Sequence, residues 1–241
     1  MSRRSSLEFP VHGWSGEEEC TWPDDPFARG SLRISGTVLG DGASWYVTTD
    51  RLGWSTVALI SDAGPTDDWD AAGTLQRCAE AACDPVQTAL AMREALRSVS
   101  RMRCQRAGLA LARIGPQGRL VELINVSLPT VLHWDPVEHL SPYEPVFTDL
   151  EGMTSAASSE MVRLRPGAAL VLTTSGVLPD EATWEDLRGF THALALDPLG
   201  GTIADAPPSE LRRVLTSSWA RRRGPVGIVV AGLPSIVQQV A

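Results

Sequence analysis

Strand-like segments in this chain come in groups, and one pair of helix-like segments separates the first group from the second. The first group contains three runs of apolar and β-branched residues, each bounded by Gly or Asp, at 32–39, 44–49 and 54–62. Such runs are typical of antiparallel strands joined by short turns. A doubly wound parallel sheet requires strands and helices to alternate throughout, and here they do not. We therefore predict an α+β fold with helices packed on antiparallel sheets.

Helix signals follow directly after these strands. The first helix is predicted over about 68–82, because the two acidic residues at its start suit the positive end of the helix dipole. The second is predicted over about 85–103, with Asp84 as its N-cap. Pro85 falls in the first turn of that helix, where its missing N–H costs nothing. We expect the two helices to pair on one outer face of the protein.

The second group of strands is also punctuated by turn residues. Pro116 and Gly118 predict a hairpin turn, Pro166–Gly167 a second turn, and a stretch rich in proline and acid predicts a loop over about 135–160. The remaining predicted elements are strands at 107–115, 119–127, 130–134, 161–165, 168–175 and 226–232, and helices at 183–195 and 208–222.

Bulk charge and hydropathy exclude several functional classes. The net charge of −8 and the pI of about 5.0 argue against non-specific binding to nucleic acid. No stretch has the apolar length of a membrane span, and Arg3–Arg4 is not followed by an apolar run of signal-peptide type. We therefore expect a cytoplasmic protein that does not act at a membrane.

The four cysteines, Cys20, Cys78, Cys83 and Cys104, contain no CxxC pair. Cys78 and Cys83 are five residues apart within a helical pattern, so we place them on different faces, where they would not easily share a metal ion. Reduced, structural thiols are the interpretation that fits a cytosolic protein.

Several stretches resemble one enzyme family. The meander 109–134 ends in a Pro-containing turn, and "RLRPGAALVLTTSG" at 163–176 is a Pro-Gly strand pair that leads to a small turn. Together with 45–65 and 225–233, they resemble the metal-dependent protein phosphatases (PPM, protein phosphatase 2C-like), and within them the sporulation stage II protein E (SpoIIE) branch. The resemblance implies two stacked antiparallel sheets flanked by helix pairs, an αββα sandwich.

The resemblance also suggests a division of the chain. Residues 31–233 would form the phosphatase-like domain, after a polar N-terminal extension at 1–30 that shows no hydrophobic period. Residues 234–241 would be an apolar C-terminal tail, either packed on the domain or used for docking.

In that family, two divalent ions generate the hydroxide that attacks phosphorus, and carboxylates at four places hold the ions. Here Ser44 stands at the first acid position and Ser175 at the third. Asp62 keeps the second, with Ala63 in place of the family's glycine, and the sequence "RRRGPVG" replaces the fourth. One position of four keeps its acid. Because neutral serines cannot offset the charge of two cations, the resemblance implies a degenerate metal site and no catalytic residue.

We therefore expect a pseudophosphatase, a phosphatase-fold protein that acts by binding or as a scaffold in bacterial phospho-signalling and needs no cofactor. The expected partner is a protein, with a phosphoserine or phosphothreonine regulatory protein as one candidate. A first alternative is an active Ser/Thr phosphatase that uses Mn²⁺ or Mg²⁺ with displaced ligands. A second is a structural subunit that uses the fold only as an interface. The oligomeric state stays open.

Some residues allow two interpretations. Asp62 is either a turn residue after a strand or a residual, weak metal ligand. Asp41, Asp50 and the acids at 67–68 lie near it in sequence and are candidates for a substitute site, although capping accounts better for the last two. Arg221, Arg222 and Arg223 end a predicted helix, where cations favour the dipole, and the alternative is a phosphate or partner contact.

Overall fold

The computed structural model describes residues 11–15, 19–22, 32–39, 42–64, 69–128, 131–135, 139–143, 145, 147, 149–177, 213 and 226–233. Within these ranges, twelve strands form two six-stranded sheets, and all strand pairs within the sheets are antiparallel. Three helices accompany them. The predicted α+β class with stacked antiparallel sheets is confirmed.

Sheet 1 is built mainly from consecutive hairpins. Its strands, in spatial order, are β1 (Val11–Ser15), β4 (Ala43–Thr49), β5 (Ser55–Ser61), β6 (Gly108–Ile114), β7 (Leu120–Val126) and β10 (Glu160–Arg163). The turn between β6 and β7 has Gly118 at φ +69°, and the Gly118 N–H donates to the Gly115 carbonyl at 2.7 Å. This is the predicted turn, and only a residue that tolerates a positive φ suits it.

Sheet 2 contains the last strand of the described residues. Its strands, in spatial order, are β2 (Glu19–Trp22), β3 (Arg33–Leu39), β12 (Val226–Gly232), β11 (Ala169–Thr173), β8 (Val131–Asp135) and β9 (His139–Tyr143). The chain crosses from sheet 1 to sheet 2 through the predicted turn at Pro166–Gly167. There the Ala168 N–H donates to the Arg165 carbonyl at 2.8 Å, and Gly167 has a φ of +87°. Pro followed by Gly at positive φ is the signature of a type II turn.

The helices are α1 (Ala71–Ala81), α2 (Pro85–Val99) and α3 (Arg101–Arg106). Asp84 caps α2 as predicted and accepts the Gln87 N–H at 2.8 Å, whereas α1 is capped by Asp70. The prediction of one continuous helix over 85–103 was wrong. Ser100 has an extended backbone and its hydroxyl accepts the Arg103 N–H at 3.3 Å, so it begins a new helix as an N-cap.

Two apolar cores hold these layers together. The first lies between the sheets and includes the fully buried Trp45, Ile34 and Leu123. The second lies between sheet 1 and the helices and includes Leu75 and Met92. Because successive residues of a strand point to opposite faces, sheet 1 contributes side chains to both cores. No helix in the described ranges is long and apolar enough to cross a membrane.

Three strands were not predicted. β9 lies inside the predicted loop at 135–160, and that part of the prediction was wrong. β9 is an edge strand, a position that tolerates Pro142 because an edge leaves some N–H groups unpaired. β1 and β2 lie within the N-terminal extension and pair with β4 and β3. The predicted helices at 183–195 and 208–222, and the tail at 234–241, lie outside the described residues, apart from the single residue Arg213.

The placement of Cys78 and Cys83 on different faces was also wrong. Helix α1 ends at Ala81, and Ala82 adopts the left-handed conformation at φ +55°. The Cys83 N–H then donates to the Cys78 carbonyl at 2.9 Å, and the Cys83 thiol lies close enough to help raise the pKa of Cys78. This is a Schellman helix end, in which the residue after the left-handed one folds back on the last turn.

Candidate functional site

The candidate site lies at the end of the sandwich where β4 begins and β5 ends. The Asp62 N–H donates to the Gly42 carbonyl at 2.8 Å, which extends the pairing of Ala43 with Ser61 by one residue. The chain turns immediately after this bond, since Asp62 has a φ of +55°. Asp tolerates that conformation better than most residues, because its short polar side chain can bond locally.

Ser44 lies at the same end of sheet 1. It pairs with Ile60, two residues before Asp62, and is 3% exposed. Its neighbour Trp45 points into the core between the sheets, so Ser44 faces the opposite, helix-covered side together with Tyr46. The structure therefore brings Ser44 and Asp62 to the same end of sheet 1, as the resemblance implies.

Asp62 is half-buried, and burial raises the pKa of its carboxyl above the ordinary value of 3.8. The charge of Arg106 and a hydrogen bond from the Ser61 side chain act in the opposite direction. A carboxylate that served two divalent ions would sit among other oxygen ligands. The carboxyl of Asp62 instead feels the positive charge of Arg106.

Two arginines of α3 act on the turn that holds Asp62, one through its charge and one through a direct contact. Arg106 is the cation that acts on Asp62, and Arg103 packs on Gly64, where a Cβ atom would lie 3.0 Å from Cζ. The sequence analysis did not identify these arginines. Their position follows from the pairing of Ser61 with Gly108, because α3 ends just before Gly108 and so beside the end of β5.

Ser175 follows β11 in sheet 2. The Thr174 hydroxyl accepts the Gly227 N–H at 2.8 Å, and the Val177 N–H donates to the Thr174 carbonyl at 2.9 Å, so a tight turn presents the half-buried Ser175. Gly227 faces sheet 1: a Cβ there would lie 3.4 Å from the Ala43 Cβ. Both sheets therefore contribute to the same end of the sandwich, with Ser44 and Asp62 from one and Ser175 from the other.

Asp50 does not belong to this site, and its candidacy as a substitute ligand was wrong. It lies in the hairpin between β4 and β5, at the other end of both strands. Its carboxylate accepts the Leu52 and Trp54 N–H groups at 2.8 and 3.0 Å and forms a buried ion pair with Arg113 at 2.9 Å. Those contacts give Asp50 a structural role. Asp41 and residues 67–68, like Arg221, Arg222 and Arg223, lie outside the described ranges.

The fold raises the question of whether a metal pair fits here. In the described part of the chain, no three His, Cys, Asp or Glu side chains are arranged to hold a metal ion. Asp62 supplies one carboxylate, Ser44 and Ser175 supply neutral hydroxyls, and Arg106 adds a positive charge. A donor set of this kind does not match two hard divalent cations.

No protein-family model and no curated protein matches the sequence. Among solved structures, the chain is similar to RsbX in complex with magnesium, with 12% identity and a TM-score of 0.60 over 90% of this chain and 100% of that chain. It is also similar to the PP2C phosphatase domain of SpoIIE from Bacillus subtilis with a fragment of its regulatory domain, with 15% identity, a TM-score of 0.59, and 95% and 72% coverage.

A third similar structure is the catalytic domain of the serine/threonine protein phosphatase PstP in complex with two manganese ions. There the identity is 14% and the TM-score 0.54, over 85% of this chain and 99% of that chain. Identities this low establish the fold alone. The chain therefore has the PPM, or protein phosphatase 2C-like, fold that the resemblance implies.

Proposed function

We propose that this chain is a pseudophosphatase: a protein of the PPM fold that binds a phosphorylated regulatory protein without two-metal catalysis. The observation that carries the proposal is that Ser44 and Ser175 are brought to the end of the sandwich that holds Asp62. A serine hydroxyl carries no charge, so among these three positions a single carboxylate is left to balance two divalent cations. Even the loss of outer-shell partners of a metal ligand weakens metal binding by roughly 10- to 100-fold.

The arginines near Asp62 support binding of a phosphorylated residue. The charge of Arg106 acts on Asp62, and the Arg103 guanidinium packs on Gly64, two residues after Asp62. Guanidinium groups form strong, charge-assisted hydrogen bonds with phosphate oxygens, often in bidentate geometry. A phosphoserine or phosphothreonine side chain is the ligand that the resemblance also implies. Recognition by arginine requires no metal ion.

One observation favours an active, Mn²⁺-dependent or Mg²⁺-dependent phosphatase as the alternative. Asp62 retains the carboxylate at the end of β5, which is the position that the resemblance assigns to the ligand shared by both ions. Activity through this residue would require ligands from elsewhere in the chain. A purely structural subunit is the third possibility. It would neither hydrolyse a phosphoester nor bind a phosphorylated partner more tightly than an unphosphorylated one.

Two measurements on the full chain separate these functions. With Mn²⁺ present, hydrolysis of p-nitrophenyl phosphate and of a phosphoserine peptide should equal the blank, and turnover that disappears in Asp62→Ala would establish the active alternative instead. In a peptide library, phosphoserine peptides should bind more tightly than their unphosphorylated counterparts. Arg106→Gln should reduce that preference at least tenfold, whereas Arg101→Gln, on the same helix, should not. Equal binding of both peptide forms would favour the structural subunit.

A further inference from the structure

A second cleft lies away from Asp62, on the open side of the sandwich between the edge strands β10 and β9. Its volume is about 960 Å³. It lies beside Arg163 of β10, which pairs with Leu120, the first residue of β7. Val126, the last residue of β7, pairs with Leu109 near Asp62. The cleft and the candidate site thus occupy different ends of the protein. A volume of this size is in the range of small-molecule sites.

Three arginines line the rim of this cleft. Arg119, Arg163 and Arg165 are all exposed, and they come from the start of β7, from β10 and from the turn that crosses to sheet 2. The chain as a whole carries a net charge of −8. A cluster of three guanidinium groups on an acidic protein creates a local positive potential that attracts a small anion.

The floor of the cleft carries two polar side chains from β8. His133 and Asp135 are 7% and 2% exposed, and they lie on the same face of the strand as Val131, which packs between the sheets. The Asp135 carboxylate lies 3.8 Å from the Arg165 guanidinium. A buried carboxylate is costly unless it is paired, and Arg165 supplies a charge partner for Asp135 at the floor of the cleft.

The walls of the cleft are apolar and aromatic. Val162 and Leu164 are buried beside it, and the half-buried Tyr143 has its ring centroid 6.3 Å from that of His133, with an angle of 35° between the rings. Apolar walls with a few convergent polar groups are typical of sites that enclose a ring-containing ligand. An anion at the floor would be repelled by Asp135, whereas a hydroxyl group there would donate a hydrogen bond to it.

We propose that this cleft binds a small phosphorylated molecule that also carries hydroxyl groups, of the sugar phosphate or nucleoside phosphate class. The phosphate lies at the rim, where Arg119 and Arg163 donate to its oxygens. The hydroxyl-bearing part extends inward, with a hydroxyl donating to Asp135 and a ring face against Tyr143. This site is independent of the function proposed for the Asp62 end, and neither proposal requires the other.

The test is calorimetric titration of the full chain with ribose 5-phosphate and with adenosine monophosphate, at low ionic strength. We expect at least one of the two to bind, and to do so at least tenfold more tightly than ribose, adenosine or inorganic phosphate. Arg163→Gln should weaken that binding at least tenfold. The control is Arg77→Gln, an arginine on α1 that is also exposed, which should leave the affinity unchanged.

A second variant tests the floor of the cleft. Asp135→Asn keeps the size of the side chain and removes its charge. It should lower the affinity for the sugar-containing ligand and leave the affinity for inorganic phosphate unchanged. If Asp135→Asn fails to fold, Arg119→Gln replaces it and should act like Arg163→Gln. Absence of binding by both probes at millimolar concentration would overturn the proposal. So would binding that Arg163→Gln does not change, or inorganic phosphate binding as tightly as the probes.

Discussion

The Arg103 guanidinium packs directly on the backbone of Gly64: a Cβ atom at Gly64 would lie 3.0 Å from both Cζ and Nε of Arg103. Gly64 also has a φ of +78°, a conformation that glycine adopts without strain. The absence of a side chain at Gly64 therefore lets the turn after β5 pack closely against Arg103 of helix α3. This contact places a positively charged side chain against the backbone two residues after Asp62.

Gly64→Ala tests how tightly this contact is built. The added methyl group would be strained at a positive φ and would displace Arg103, so we expect the free energy of unfolding to fall by about 1–3 kcal/mol. Urea denaturation measures it. Gly53→Ala is the matched control, because Gly53 has nearly the same φ, +79°, while a Cβ there meets its nearest neighbour, Pro116 Cγ, at the longer distance of 3.3 Å. Equal losses in the two variants would show that the Arg103 contact is not specific.

Asp62→Asn tests the electrostatics of the site. Burial raises the folded-state pKa of Asp62. Because this folded-state pKa is raised, Asp62 stabilises the folded protein fully at pH values below its ordinary pKa. That stabilisation is lost as pH rises through the folded-state pKa. The stability of the native chain relative to Asp62→Asn should therefore fall as pH rises above the ordinary value of 3.8 for this carboxyl. Thermal unfolding at several pH values measures this difference, with the exposed Glu80→Gln as control. A difference that grows in favour of the native chain would mean that Arg106 outweighs burial.

The thiols at the end of α1 should differ in reactivity. Burial, followed by the contact with Cys83, raises the pKa of Cys78 to about 11, so at pH 8 roughly one thiol in a thousand is the reactive thiolate. Iodoacetamide should therefore modify the half-buried Cys83 well before Cys78, as followed by peptide mass spectrometry. In urea the two rates should converge. Modification of Cys78 first in the folded protein would contradict this arrangement.

Much of the strand framework could be predicted because its strands are bounded by strong turn signals. Gly118 and the Pro166–Gly167 pair mark turns that the structure contains, and the apolar runs between such turns form the central strands. β9 was missed because it is short, lies at an edge and contains Pro142, which reads as a loop residue. The break at Ser100 was missed because serine also occurs within helices, and its role as a cap depends on local backbone geometry.

The site could be predicted only where the resemblance assigns a position to it. Ser44, Asp62 and Ser175 were predicted in this way, and the structure brings them to one end of the sandwich, two from sheet 1 and one from sheet 2. Arg106 was missed because its distance from Asp62 along the chain gives no local signal. Its position becomes clear only once Ser61 is paired with Gly108. The contact between Cys78 and Cys83 likewise depends on the left-handed Ala82, which a helical pattern does not reveal.

The central claim is that Ser44 and Ser175 occupy the places of carboxylates that would complete a metal site with Asp62. The double variant Ser44→Asp/Ser175→Asp would rebuild part of that cluster. Without metal, the added carboxylates should repel Asp62, raise at least one pKa and lower the stability of the folded state. Mn²⁺ should relieve the repulsion. Binding to the folded state alone stabilises a protein by about 2.7 kcal/mol at a hundredfold excess over the dissociation constant.

The most direct measurement is therefore the melting temperature of both proteins as Mn²⁺ is added. Ser44→Asp/Ser175→Asp should melt at progressively higher temperature as Mn²⁺ rises, while the native chain should show no change. A single variant, Ser44→Asp, should respond less than the double variant. An equal response of the native chain and the double variant would contradict the account, because Ser44 and Ser175 would then not converge on Asp62.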